Sequence, residues 1–175
     1  MRSWRPFHIE TIFEHPLLNL RKHHVSAGGE NRLALVLDLP NWVNVIPLLP
    51  DGRILMVRQW RYGVEGQTLE IPGGVVEPGE EERAAAEREL LEETGYRGNA
   101  WRRIGEVQPN PAIQNNLTGT WLVEDLVRIG EPEGDGQEEL EVEAVPLEDI
   151  PARISAGEIR HSLVVAAFYF LQTRT

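Results

Sequence analysis

Alternation of apolar and polar positions opens the chain's structural signal. Leu33, Leu35, Leu37 and Leu39 recur every second residue, the period of a strand with one buried face, and residues 1 to about 40 form a strand-rich entry segment. Two apolar runs follow, Trp42 to Leu49 and Arg53 to Arg58, joined by Pro50-Asp51-Gly52. Proline presets φ and glycine supplies positive φ, so the pair is expected to form a hairpin. Thr68 to Ile71 makes a short strand stopped by Pro72-Gly73-Gly74. The period then changes: Glu80 to Thr94 is rich in Ala, Glu, Arg and Leu and is closed by Gly95, which predicts a helix with acid in its first turn and a glycine C-cap. Strands are expected near Ala100–Val107 and Leu117–Val127, and again over Glu138 to Val145. Between the last two lies a glycine-rich acidic stretch, Gly130 to Gln137, expected to be a mobile loop. Leu147–Ser155 and Ile159–Thr173 read as two helices.

Composition narrows the class. At 175 residues, with 41% hydrophobic and 26% charged residues, the chain can bury a core and has ordinary globular usage. No cysteine is present, which excludes disulfides, thiol catalysis and thiolate zinc sites and fits a cytoplasmic protein. The first thirteen residues mix Arg2, Arg5, His8 and Glu10 among apolar ones, unlike a secretory signal, and the longest apolar run, Leu163 to Leu171, is too short to span a bilayer. With 28 acidic against 17 basic residues the net charge is −11, so neither nucleic acid nor a membrane is expected as a partner. The five histidines show no metal-ligand spacing.

What the charge does locally matters more. Glu89, Glu92 and Glu93 share one helix face at i, i+3 and i+4, where like charges repel. Such a cluster is either a solvated face or an oxygen-only seat for a hard cation such as Mg²⁺ or Mn²⁺, and the helix alone does not decide. The surrounding spacing does. Gly74, five residues, Glu80, seven residues, then Arg88-Glu89-Leu90-Leu91-Glu92-Glu93-Thr94-Gly95-Tyr96 resembles the Nudix box, G-x5-E-x7-R-E-U-x-E-E-x-G-U with U a bulky aliphatic residue. The one departure is Tyr96 at the final apolar position.

The resemblance implies an α/β/α sandwich around a mixed sheet, preceded by the N-terminal strand-rich segment. It divides the chain into a dimerisation segment, residues 1–40, and a Nudix hydrolase domain, residues 41–175. It further implies Mg²⁺ as cofactor, with Mn²⁺ able to substitute, held by Glu89 and Glu93 together with the Gly73 carbonyl and with Glu80 in support. Glu92 would stand beside them as ligand or base, and Arg88 would orient a carboxylate through a bidentate pair. Upstream, Arg58-Gln59-Trp60-Arg61 and Leu69-Glu70-Ile71-Pro72 resemble the ADP-ribose pyrophosphatase branch, as does Pro111, fifteen residues beyond Tyr96. Arg58 or Arg61 then meets the diphosphate, or else pairs with one of many acids. Glu70 contacts metal or ribose, or forms a salt bridge. Asn115 and Asn116 contact sugar hydroxyls, or are turn residues, in a stretch where the branch usually carries a glycine–aromatic–serine loop. Trp42 and Trp60 are candidates for stacking on the base, against the alternative of core packing. Glu138, then Glu139, is the expected general base.

Expected from all this is hydrolysis of ADP-ribose or a related nucleoside diphosphate sugar to a nucleotide and a sugar phosphate by a homodimer that exchanges N-terminal strands. The alternatives are another preferred base or sugar (GDP-mannose or ADP-glucose), a housecleaning hydrolase of modified nucleoside triphosphates, and a nucleotide-sugar sensor without hydrolysis.

Overall fold

The computed structural model describes residues 1–133 and 140–174. It divides into two compact units: Met1–Asn41 with Gln108–Leu117, and Trp42–Val107 with Thr118–Thr175.

The first unit is built on three strands, β1 (Arg5–His15), β2 (Leu18–Ala27) and β3 (Glu30–Asp38), in an antiparallel meander of order β1-β2-β3. The alternation expected at Leu33 to Leu39 is its third strand. Positive φ at Gly28 and Gly29 turns the chain between β2 and β3. The loop Gln108–Leu117 docks on the end of β3: the Leu37 N–H donates to the Ile113 carbonyl at 2.7 Å, and the Leu39 N–H donates to the Asn115 side chain at 3.2 Å. This sheet buries little of its own apolar surface. Phe7, Ile9, Phe13, Leu33 and Leu35 are all exposed.

The second unit carries a mixed sheet of order β7-β4-β9-β8 and a smaller sheet of order β10-β5-β6. The strands are β4 (Trp42–Pro47), β5 (Arg53–Arg61), β6 (Gly66–Glu70), β7 (Gly73–Val75), β8 (Tyr96–Val107), β9 (Thr118–Arg128) and β10 (Glu141–Pro146). Its helices are α1 (Glu82–Thr94), α2 (Ile150–Ser155), entered through a 3-10 turn at Leu147–Asp149, and α3 (Ser162–Arg174). Side-chain alternation along β4 sets the layers. Val43 and Val45 join Val123 of β9 and pack against Ala85, Ala86 and Leu90 of α1. Ile46 points to the opposite face and joins Leu122, Ile104 and the Val164, Ala167, Phe168 and Leu171 stripe of α3. The mixed sheet is therefore sandwiched between α1 and α3, as the sequence led us to expect. Ile54, Met56, Leu69 and Val145 of the smaller sheet complete the α3-side core. Each fully buried aliphatic chain of this kind contributes about 1.5–3 kcal/mol of transfer free energy. No helix among the described residues is long and apolar enough to cross a membrane.

Several local expectations are corrected. The turn at Pro50-Asp51-Gly52 exists, with the Leu49 N–H bonded to the Arg53 carbonyl at 2.8 Å and Gly52 at φ 83°. Its flanking strands, however, do not form a hairpin. β4 is already paired with β7 on one edge and parallel with β9 on the other, so β5 leaves it after a single bridge, Leu48 to Ile54, and enters the second sheet. Gly73-Gly74 does not merely stop a strand but begins β7. The helix starts at Glu82, two residues later than expected, because Gly79 at φ 83° and the Glu80 N–H bond to the Glu77 carbonyl form a turn first. β8 begins at Tyr96, directly after the left-handed Gly95 cap. The final helix begins at Ser162, and residues 147–149 form a 3-10 turn rather than α-helix.

Candidate active site

Two adjacent glycines bring a strand and a helix into contact. A Cβ on Gly73 would lie 2.3 Å from the Val43 carbonyl oxygen, and one on Gly74 would lie 2.0 Å from Oε1 of Glu89. Only hydrogen fits at Gly73, against backbone, and a side chain at Gly74 would displace the Glu89 carboxylate, so β7 lies flush against β4 on one side and against the carboxylates of α1 on the other. The Gly73 N–H donates to Oε2 of Glu93 at 3.1 Å, and Glu93 is 7% exposed. Glu89 and Glu93, one turn apart, are thereby both laid against the Gly73–Gly74 backbone.

Arg88 fastens the remainder. Its guanidinium is bidentate to Glu80 (Nε to Oε1 and Nη2 to Oε2, both 3.1 Å) and reaches Glu89 at 2.7 Å, Glu92 at 3.2 Å and the Val75 carbonyl at 2.9 Å. One planar fork therefore links three acids and the backbone of β7, a task lysine's point charge could not perform. The electrostatics follow. Hydrogen bonds from Arg88 hold the Glu80 carboxyl below its usual range, and bonding to Glu80 first, then Glu89, holds the Arg88 proton more tightly than usual. Burial pushes Glu89 the other way, upward; Arg88 opposes the rise and Glu92 and Glu80 add to it. Glu92 is the most exposed of the set.

Among the described residues no three acidic or histidine side chains are gathered closely enough to hold a metal ion by themselves. The donor set nonetheless fits a hard divalent cation: it is oxygen-only, it is open rather than closed, and the partly buried Glu89 carries a charge that burial and neighbouring acids disfavour. Magnesium sites of this kind use one or two carboxylates and leave the remaining positions to water and phosphate.

Beside the box lies an open cleft of ≈ 680 Å³. Its floor is Glu70, 3% exposed, which accepts hydrogen bonds from Arg61 Nε and Nη2 (2.9 and 3.0 Å), Thr68 Oγ1 (2.6 Å) and His161 Nδ1 (2.6 Å). Burial pushes the Glu70 carboxyl up, but the bonds from His161, Arg61 and Thr68 outweigh it and hold the group far below the ordinary carboxylate range. Trp42 and Asn44 stand between the cleft and Gly73. The Arg61 guanidinium sits 6.0 Å from the centroid of the Trp42 ring. Trp42 Nε1 donates to Asn44 Oδ1 at 3.2 Å, and that oxygen would lie 2.9 Å from a Cβ on Gly73.

The structure thus brings Gly73, Glu80, Arg88, Glu89, Glu92 and Glu93 together, and places Arg61, Glu70 and Trp42 alongside. Arg58 goes elsewhere. Three residues from Arg61 on a strand, it faces the other way and joins Glu143 and Glu158, both at 3.1 Å, in a network that Arg153 completes. Trp60 is half exposed at the end of β5. Pro111, Asn115 and Asn116 belong to the N-terminal unit, where Asn115 bonds Asp38 and the Leu39 N–H, and the buried Asn116 Oδ1 has no hydrogen-bond partner. Glu138 and Glu139 lie outside the described residues. The segment leading to them is anchored at the end of α1, where the Glu133 N–H bonds the Glu92 carbonyl at 2.9 Å. Sequence reasoning missed Asn44, Thr68 and His161. Asn44 was detectable as a polar residue inside an apolar strand. The lone His161 carried no such signal.

Comparison with known proteins agrees with this geometry. The NUDIX domain model matches residues 39–167. An ADP-ribose pyrophosphatase of Bacillus subtilis is 31% identical over 94% of this chain and 90% of its own. An ADP-sugar pyrophosphatase of Mus musculus is 36% identical over 73% of this chain and 63% of its own. A crystal structure of an ADP compounds hydrolase superposes with a TM-score of 0.87 at 22% identity, covering 98% of this chain and 93% of that one, which establishes the shared fold.

Proposed function

Since the chain belongs to the Nudix family, we propose that it hydrolyses the diphosphate bond of a nucleoside diphosphate sugar, with ADP-ribose the leading substrate, releasing AMP and a sugar phosphate. The observation that carries this reading is the Arg88-centred set of carboxylates laid against Gly73–Gly74, intact at every position. The relatives named as ADP-ribose, ADP-sugar and GDP-mannose pyrophosphatases support the substrate class.

In this reading Glu89, Glu93 and the Gly73 carbonyl hold Mg²⁺, with Mn²⁺ able to replace it and Glu80 and Glu92 beside them. When bound, the cation neutralises phosphate oxygens, polarises phosphorus and acidifies the attacking water. The chain's own residues do the rest. Arg88 holds Glu80, Glu89 and Glu92 in fixed relative positions, so no carboxylate must be reordered when substrate arrives. Arg61, braced by Glu70, presents positive charge at the cleft, which offsets the repulsion an acidic chain exerts on a diphosphate. Trp42 offers an aromatic face. Glu138 or Glu139 serves as general base. Trp60 remains a candidate for a contact to substrate.

Purified protein with Mg²⁺ is expected to release AMP from ADP-ribose faster than it acts on ADP-glucose, GDP-mannose or nucleoside triphosphates, as followed by product chromatography. A stronger preference for another diphosphate sugar moves the specificity and keeps the chemistry, whereas preference for triphosphates overturns the substrate class.

A homodimer built through the N-terminal strands belongs to the same reading. A three-stranded sheet that leaves Phe7, Ile9, Phe13, Leu33 and Leu35 exposed lacks a covered face of its own. Light scattering is expected to give twice the chain mass, and Leu35→Glu to shift the protein towards monomer. A monomeric wild type rejects the dimer. A cytoplasmic setting is consistent with the cysteine-free composition.

A further inference from the structure

We propose that His161 is a substrate-binding residue of this active site, which binds the diphosphate as an imidazolium: its Nε2–H donates to a phosphoryl oxygen and forms, with Arg61, a two-pronged anion clamp braced on one buried carboxylate, Glu70. The inference rests on the reading of the site as a diphosphate hydrolase and names a group that this reading did not use.

The tautomer is the first step. Glu70 is buried and receives both the Nε and Nη2 donors of Arg61, so it is ionised and only accepts. The 2.6 Å contact to His161 therefore places a proton on Nδ1. A second proton on Nε2, drawn by the diphosphate on one side and the Glu70 carboxylate on the other, makes the ring a donor at both ends in the complex. Nδ1 is used inward, and the ring, about one-third exposed, lines the cleft with its Nε2 edge the remaining polar atom. Of the three side-chain partners of Glu70, Arg61 at the end of β5 and His161 just before α3 come from far apart in sequence and flank the same cleft.

The second step is charge. Arg61, Arg160 and His161 all line this cleft, and Glu70 is the acid among its lining groups. In a chain of net charge −11 two arginines against one acid give this cleft a local excess of positive charge that selects an anion. His161 is also the residue whose carbonyl accepts the Val165 N–H at 3.1 Å, so it stands at the positive end of a 13-residue helix.

The third step is rigidity. The turn before His161 is fastened at several points. Glu158 is held by Arg58 at 3.1 Å and by Arg153 at 3.0 Å, Arg160 Nε donates to the Gly157 carbonyl at 2.5 Å, and Gly157 turns the chain at φ 74°. The ion network that takes Arg58 away from the cleft thus holds the segment that delivers His161 to it. A ring fixed at one nitrogen and on a pinned loop loses little freedom on binding.

Asparagine and glutamine separate a binding role from a bracing one. The amide of His161→Asn reaches the Nδ1 position and keeps the Glu70 contact while removing the outer prong. That of His161→Gln reaches towards the Nε2 position. With α,β-methylene-ADP and Mg²⁺ as probe, calorimetry is expected to show about tenfold weaker binding for His161→Asn, the size of one lost hydrogen bond to a charged partner. His161→Gln should lose less than threefold, and KM for ADP-ribose should rise in parallel with kcat nearly unchanged. In the wild-type protein, the ¹⁵N resonance of His161 Nε2 should shift on adding the probe. Wild-type affinity in His161→Asn, or an unmoved Nε2 resonance, overturns the proposal whatever the enzyme hydrolyses. Failure of the wild type to turn over any nucleotide sugar, with the affinity difference intact, overturns the functional reading and leaves the clamp. No binding of the probe by the wild type overturns both.

Discussion

Replacing Glu93 with glutamine is expected to lower kcat for AMP release by roughly a thousandfold while leaving the fold intact. The size follows from chemistry: losing a primary carboxylate from a site whose cation supplies several kcal/mol of transition-state stabilisation forfeits about 4 kcal/mol, and each 1.36 kcal/mol is tenfold in rate. The fold should survive because of what the structural partner of Glu93 requires. The Gly73 N–H needs an acceptor, and the glutamine amide oxygen supplies one at the same place. Volume is conserved in a position that is 7% exposed. Removing a negative charge from a face that also carries Glu89 and Glu92 relieves repulsion, so the melting temperature should hold steady or rise slightly. The decisive comparison is therefore kcat against melting temperature in the same preparation. An active variant removes Glu93 from the chemistry, and a variant that is inactive because it is unfolded leaves a lowered melting temperature as its signature.

The site was readable in the sequence to the extent that it is local. The box occupies one strand, one turn and one helix, so its fixed intervals survive as spacing, and the Gly95 cap and the layer order around α1 follow from the same stretch. Arg88 shows why spacing was informative: a guanidinium that must meet Glu80, Glu89 and Glu92 together fixes its separation from each of them. What was not readable depends on pairing over distance. Pro50-Asp51-Gly52 encodes a turn, but nothing near it states that β4 will already be flanked by β7 and β9, and so a hairpin was the wrong conclusion. Arg58 and Arg61 are chemically equivalent in the sequence; only strand geometry sends one to Glu143 and Glu158 and the other to Glu70. His161 is 91 residues from its partner. No periodicity or motif links the two, and their meeting is a product of how α3 packs on the sheet.

The same long-range contact makes Glu70 the residue whose neutralisation should weaken the fold most. Glu70→Gln conserves shape but leaves Arg61 without its bidentate partner and His161 without its acceptor charge. Removing one member of a buried ion pair costs about 3–5 kcal/mol. Arg61 and His161 each retain roughly a third of their side-chain exposure, so water recovers part of this and about 2–3 kcal/mol is expected. For a chain of this length that lowers the melting temperature by roughly 5–10 °C. The pH dependence has a definite sign. Because the folded-state carboxyl is held below its ordinary value of 4.5, its contribution is fully present above that value. It is lost as pH falls from there towards the lower folded-state value. The gap between wild type and Glu70→Gln should accordingly be constant from pH 8 to about pH 5.5 and close on further acidification, as the wild type loses what the variant never had. A gap that persists unchanged in acid would mean that glutamine disturbs packing rather than charge, and Glu70 would then be a shape in the core instead of the anchor between Arg61 and His161.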